Sequence, residues 1–174
     1  WPALGTAGPA HPTFMVSDGS GLIARFAPEQ APVHQGNLLL SSGPATDEMG
    51  STVELGGILY IGAQDATGIL RYDVGNAVWL SPWSTNGQAV EHLETDGTDL
   101  FVATEAMTVD QMTTAGSVIT TFSGQNCFSN NGAMLSMAVD ASTVLISLQP
   151  RTVLTFDRTT GTCTASANGD LPET

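Results

Sequence analysis

The stretch that decides the fold is residues 92–103, HLETDGTDLFVA. Two short runs suited to β-strands flank the pair Asp96-Gly97, and Gly accepts the positive φ that a tight hairpin turn requires. No part of the chain carries apolar residues at helical spacing over three turns. Nine Pro and 19 Gly also interrupt it too often for long helices. The stretch therefore predicts two antiparallel strands joined by a turn, in an all-β protein.

The second half of this hairpin recurs along the chain. Its apolar run has counterparts at three other places, which gives the set Phe14-Met15-Val16, Leu59-Tyr60-Ile61, Leu100-Phe101-Val102 and Val144-Leu145-Ile146. The central residues of these runs are separated by 45, 41 and 44 positions. A fixed period of this length is typical of a repeat architecture. The runs are apolar throughout, which predicts strands buried on both faces.

Three further strand-like stretches accompany each run. The first of these stretches follows the apolar run, at 21–26, 68–72, 108–112 and 152–156. The second comes after it, at 37–40, 77–80, 117–122 and 162–165. The third precedes the run at 51–55, 90–94 and 135–139, while the first unit's counterpart falls in the Gly- and Pro-rich residues 1–12. Four strands per unit at a period of about 43 residues predict a β-propeller. The predicted blades are approximately 1–50, 51–88, 89–132 and 133–170, in one domain.

The hairpin at 92–103 resembles the first hairpin of blades in the broad NHL, YVTN and streptogramin lyase-like propeller families. Residues 137–146 look like a second copy, with Ala141 where those families often have Gly. The pairs Tyr72-Asp73 and Phe156-Asp157 resemble third-strand ends of such blades. The resemblance spans residues 13–174 and implies a blade, not an activity.

Four blades leave the ring open to two interpretations. They close alone in a small propeller, or they form part of a larger ring, which is the commoner geometry because most propellers have more blades. Residues 171–174, LPET, begin a next blade in the repeat alignment and could complete the first blade. The same four residues resemble the product of sortase cleavage, from a cell-wall signal or a tag.

The charge is strongly acidic. The chain has 17 Asp plus Glu against four Arg and no Lys, a net charge of −13. Nucleic-acid binding depends on cationic side chains, so this composition excludes it as the expected function. No apolar run reaches the length of a membrane span, so we expect no membrane insertion. The absence of a basic-then-apolar leader before Trp1 fits a processed chain, and we expect a secreted or cell-surface location.

Candidate site residues are few. His92 lies on a predicted inner strand, where side chains can line a propeller's channel, and it is the candidate catalytic residue. Asp18, Asp96 and Asp99 carry oxygens that could bind Ca²⁺, but no EF-hand spacing is present and turns explain the Asp-Gly pairs better. We therefore expect no cofactor. The sequence has no nucleophile elbow, Cys-x-x-Cys, phosphate loop or Rossmann fingerprint.

The two cysteines, Cys127 and Cys163, leave two alternatives open. An even count in a secreted chain favours a disulfide. Their near-equivalent places in adjacent units argue against one, because the outer edges of neighbouring blades diverge and a disulfide needs Cα atoms within about 7 Å.

Three functions remain as hypotheses. The leading one is a non-catalytic extracytoplasmic propeller that binds or scaffolds a protein or small ligand. The second is a propeller lyase or hydrolase with its site in the central channel. The third is a structural subunit of a surface assembly, in which this chain completes its ring with another. Clustered His, Asp and Glu in the channel would favour the enzyme, and an apolar patch at an open blade would favour assembly.

Overall fold

A computed structural model describes residues 14–17, 22–27, 33–39, 49–65, 68–124, 133–149 and 152–167. Within these residues the chain is all-β, and it contains no helix with the length and hydropathy needed to cross a membrane. The predicted first strand in residues 1–12 and the LPET segment at 171–174 lie outside the described residues.

The strands follow one another as simple antiparallel meanders. The first sheet contains β1 (Phe14–Ser17), β2 (Leu22–Ala27) and β3 (Val33–Leu39). The second contains β4 (Met49–Leu55), β5 (Ile58–Ala63), β6 (Gly68–Asp73) and β7 (Val78–Trp83). The third contains β8 (Val90–Thr95), β9 (Leu100–Thr104), β10 (Thr108–Met112) and β11 (Val118–Ser123). The fourth contains β12 (Met134–Val139), β13 (Thr143–Leu148), β14 (Thr152–Asp157) and β15 (Cys163–Ala167).

The four apolar runs form β1, β5, β9 and β13, so the predicted repeat is present in the sheets. Turn chemistry also follows the prediction. Gly97 has φ of +89°, which confirms the turn at Asp96-Gly97. At Asn86-Gly87 both residues have positive φ, 56° and 77°, as a type I′ turn requires. The first turn joins β8 to β9 within the third sheet, and the second lies in the connection from the second sheet to the third.

Successive sheets pack face to face through their apolar sides. The first strand of the third sheet, β8, packs against both β4 and β12, the first strands of its neighbours. One core lies between the second and third sheets and includes Tyr60, Ile69 and Leu100. Another lies between the third and fourth sheets and includes Phe101 and Phe156. The described strands show no extensive packing of β1–β3 on β12–β15, so the array is open at these two sheets.

The close packing of adjacent sheets needs a glycine at one point. A Cβ on Gly62 of β5 would lie 2.5 Å from Cγ1 of Val90 on β8. The hydroxyl of Ser51 on β4 also accepts a hydrogen bond from the backbone N–H of Leu93 on β8. The first strand of the third sheet therefore packs directly against the second sheet.

The predicted burial of the apolar runs is correct for two sheets and wrong for the last. Strand β9 is buried at every position, and β5 at every position after Ile58. Strand β13 alternates instead, with Val144 and Ile146 buried and Leu145 38% exposed. The physical reason is that β5 and β9 each lie between two sheets, whereas only one side of the fourth sheet is covered among the described residues.

Aromatic residues close the outer side of the second sheet. Trp79 and Trp83 lie on the outer strand β7. Trp79 meets Tyr72 edge-on at 5.2 Å between ring centroids, and the guanidinium carbon of Arg71 lies 4.3 Å from the Trp83 ring centroid. Arg71 also donates to the carbonyl oxygen of Ser81 through Nε and Nη2, at 2.9 and 2.6 Å. Arg71 thus ties β6 to β7.

Candidate functional site

An open cleft with a volume of about 490 Å³ lies where turns of the last two sheets meet. Asp96 enters it from the turn after β8, Asp140 from the turn after β12, and Arg158 from the turn after β14. Its remaining lining residues are Thr95, Thr98, Val139 and Ala141. The meander places all three turns at one end of the sheets, because β8, β12 and β14 all finish there.

Arg158 joins the two sheets at this cleft. Its Nη2 donates to Oδ2 of Asp96 at 2.6 Å, with both side chains mostly buried at 14% and 16% exposure. Its Nη1 donates to the carbonyl oxygen of Asp140. The guanidinium carbon lies 4.8 Å from the ring centroid of Phe101, which adds a cation–π contact. The arginine is therefore held by the third sheet on one side and by its own sheet on the other.

Both oxygens of the Asp96 carboxylate accept hydrogen bonds. Oδ1 accepts the backbone N–H groups of Thr98 and Asp99, each at 2.9 Å, while Oδ2 accepts from Arg158. Burial raises the pKa of the Asp96 carboxyl, but the two backbone hydrogen bonds and Arg158 together lower it by more, so it lies below its ordinary value. A carboxylate in this state is ionised and held in place.

Asp140 occupies the same place in the next repeat. Its Oδ1 accepts the backbone N–H groups of Ser142 and Thr143, both at 2.7 Å. Its Oδ2 accepts the Thr143 hydroxyl at 2.9 Å. These hydrogen bonds to the charged form lower the pKa of Asp140 to about 2. The two aspartates therefore act as caps of equivalent turns.

Two of the candidate calcium ligands, Asp96 and Asp99, have separate side-chain partners. Oδ2 of Asp99 accepts from Nε2 of Gln111 at 2.7 Å, within its own sheet, while Asp96 is bound by Arg158. Among the residues that the structure describes, no group of three or more His, Cys, Asp or Glu side chains could hold a metal ion. Asp18 lies outside the described residues.

His92 sits on β8, the strand between β4 and β12, in half-buried surroundings. It pairs with Ala103 in the sheet register. Its side chain makes no hydrogen bond or ion pair within the described part of the chain. The structure thus places it on an inner strand, as predicted, and gives it no partner residue with which to share a proton there. Its catalytic role stays a prediction.

Cys163 is disulfide-bonded and packs against the core between the last two sheets. It lies on the outer strand β15, opposite Phe156 in the register. Cys127 lies outside the described residues, so the pairing of these two cysteines stays a prediction.

Sequence reasoning missed Arg158 altogether. The residue lies 62 positions from Asp96, and no local pattern links a turn in one repeat to a turn in the next. The signal that could have indicated it is the scarcity of cationic side chains. Since the chain has four Arg and no Lys, an arginine beside a third-strand turn is unusual and suggests a specific acidic partner.

No protein-family model and no curated protein sequence matches the chain. Solved structures do. The crystal structure of the computationally designed Ika8 protein is similar over 88% of this chain and 48% of its own, with TM-score 0.63 and 13% identity. The crystal structure of Chaetomium thermophilum Raptor is similar over 92% of this chain and 15% of its own, with TM-score 0.65 and 14% identity.

The fold is propeller-like. The chain spans about half the length of the Ika8 chain and a small part of the Raptor chain. At these identities the likeness concerns the arrangement of the antiparallel sheets alone.

Proposed function

We propose that the chain is a non-catalytic, extracytoplasmic β-propeller module that binds or scaffolds a protein or ligand. The observation that supports this best is the state of the cleft. Its charged groups are Asp96, Asp140 and Arg158: Arg158 is bonded to Asp96, and both carboxylates accept backbone N–H groups of their turns. A catalytic acid or nucleophile has to be available to a substrate, whereas these groups stabilise the contact between two sheets.

The sulfur chemistry supports the proposed extracytoplasmic compartment. Cys163 is disulfide-bonded, and disulfides persist in oxidising, extracytoplasmic surroundings. The net charge of −13 favours a cationic partner and disfavours nucleic acid.

Turnover assays separate this proposal from the enzyme hypothesis. The probes are chromogenic esters, aryl glycosides, aryl phosphates and uronate-containing polysaccharides, assayed beside heat-denatured chain. We expect no turnover above the denatured control. Turnover that disappears in the His92→Ala variant, with its unfolding midpoint unchanged, would establish the enzyme and overturn the proposal.

A binding assay examines the positive part of the proposal. An arginine-rich peptide and a glutamate-rich peptide of equal length are titrated into the chain at low and at physiological ionic strength. We expect saturable binding of the arginine-rich peptide alone, weakened but retained at physiological salt because exposed charges are screened there. Equal binding of both peptides, or of neither, counts against it.

A second candidate, the structural subunit of an assembly, is favoured by a separate observation. Leu135 is 51% exposed and Leu145 38% exposed, both on the last sheet. Leu145 occupies a position that is fully buried in the two preceding sheets. An uncovered sheet face with large apolar residues is the patch expected of a subunit whose neighbour is missing.

A further inference from the structure

The repeat makes positions in successive sheets directly comparable. Strand register pairs Tyr60 with Arg71, Phe101 with Gln111, and Leu145 with Thr155. Tyr60, Phe101 and Leu145 are therefore equivalent, each at the centre of its apolar run. Tyr60 and Phe101 are 1% and 0% exposed because the next sheet covers them, whereas Leu145 is 38% exposed.

The uncovered face keeps the pattern of the covered ones. In each of the three sheets a small residue follows the large central residue by two positions. These small residues are Gly62, Ala103 and Ser147. Opposite that small residue stands a β-branched one, which is Ile69, Val109 and Val153. The small position has a physical purpose in the second sheet, since Val90 of the next sheet's first strand sits against Gly62. Ser147 offers the same place on the fourth sheet.

The centre of the uncovered face also carries no charge, and the exposed carboxylate of Asp157, which pairs with Thr143, lies at its margin at the end of β14. The pairs along it are Ala138 with Leu145, Ser136 with Ser147, and Thr155 with Thr164. The polar groups of these pairs are hydroxyls, and the Ser136 and Ser147 hydroxyls bond each other at 2.8 Å. A solvated sheet face in an acidic protein would be expected to carry charged side chains, so this composition suits contact with another sheet.

The first sheet has the complementary pattern at the other end of the array. Its register places Phe14 opposite Phe26. In the second sheet these positions belong to Leu59 and Tyr72, which form the core on the side facing away from the third sheet. Each later sheet uses these positions to pack against the sheet that precedes it. By register, the first sheet also has large apolar residues at these positions.

We infer that the face of β12–β15 that bears Leu145 binds the first sheet of a second copy of this chain, and that two copies close one ring through two identical contacts. This rests on the proposed role as a subunit that completes a ring. Head-to-tail contacts between copies form a closed ring when the successive rotations add up to a full turn. Two copies related by a two-fold rotation meet this condition. The chain matches 48% of the Ika8 chain, so two copies in succession would span a fold of that length.

Sedimentation equilibrium of the 174-residue chain over a wide concentration range tests the inference. We expect a species of twice the 18.0 kDa chain mass. The variant Leu145→Glu places a charge in the contact and should raise the dimer dissociation constant by about 30-fold or more, the size of effect seen at interface hot spots. The control Ile119→Glu changes a residue of β11 that is 53% exposed although the next sheet is in place, and it should leave the mass unchanged.

A second variant covers the case in which Leu145→Glu fails to fold. Ser147→Arg fills the small position without altering the buried side of β13, and it should also dissociate the dimer while retaining the β-sheet circular dichroism spectrum. A monomeric wild-type chain at every concentration, open polymers that grow with concentration, or a dimer unaffected by both variants would each overturn the inference. The turnover and peptide assays do not depend on the mass, so failure of the proposed binding function would be recognised separately.

Discussion

The guanidinium of Arg158 and the carboxylate of Asp96 meet at 2.6 Å across the boundary between the last two sheets. Both side chains are mostly buried; Asp96 also accepts a backbone N–H of its own turn, and Arg158 also donates to the carbonyl oxygen of Asp140 in the turn after β12. This ion pair is thus part of the packing between repeats. Removing one of its charges should therefore lower the free energy of unfolding.

Replacing Asp96 by Asn should lower the free energy of unfolding by about 1–2 kcal/mol, because the amide oxygen can still cap the turn but the ion pair is lost. Urea unfolding followed by circular dichroism measures the change. Asp110→Asn is the matched control, since within the described residues the hydrogen bond of the Asp110 carboxylate comes from the Thr121 hydroxyl of its own sheet. A loss as large in the control would show that the Arg158 contact contributes little.

Stability should fall in acid through Asp140. A carboxyl whose pKa is lower in the folded than in the unfolded state stabilises the fold above the unfolded value, and this contribution is lost as pH falls through the folded one. For Asp140 the window runs from the ordinary value of 3.8 down to about 2. Urea midpoints measured across this window should drop less in Asp140→Asn than in the wild type. Parallel curves would contradict the assignment.

Gly62→Ala should destabilise the chain by about 1–3 kcal/mol, as overpacking does in a filled core. The added Cβ would lie 2.5 Å from Cγ1 of Val90, so one of the two sheets has to move. Gly75→Ala is the control, because its Cβ would meet only the Asp73 carboxylate, at 3.5 Å. Adding Val90→Ala to Gly62→Ala should relieve the clash, and a double variant whose loss equals the sum of the single losses would refute this contact as the cause.

Removing the disulfide should be costly if Cys163 pairs with Cys127. Closing a loop of this length stabilises a fold by about 3–4 kcal/mol in the chain-entropy model. Cys163→Ser, Cys127→Ser and the double variant should therefore show the same loss of unfolding free energy. Peptide mapping without reductant identifies the partner directly. A covalent dimer on a non-reducing gel would instead show that the bond joins two copies.

Much of the fold could be predicted because the repeat is encoded by short-range sequence patterns. The apolar runs around Tyr60, Phe101 and Leu145 recur at nearly constant spacing, and Asp96-Gly97 marks a turn by its own backbone chemistry. Each of these features depends on neighbours within a few residues, so one sequence suffices to identify it. The predicted strands that fall within the described residues accordingly overlap observed strands.

The candidate site was less accessible. The sequence selected Asp96 for its oxygens but assigned them to a turn or to calcium, and it gave no reason to connect them with Arg158. That contact depends on how one sheet is stacked on the next, which is set by side chains such as Phe101 between the sheets. It also missed that Leu145, chemically like its buried equivalents, would be uncovered.

The sequence by itself determined the all-β class, the repeat, its turns and the acidic charge, since each follows from residue type and from spacing within a repeat. Tertiary structure decided which repeat faces are covered, which carboxylate meets Arg158, and that the array of described sheets stays open. Those outcomes depend on contacts between sheets rather than within them. Burial and ion pairing are properties of the assembled array, so equivalent residues such as Phe101 and Leu145 come to differ only there.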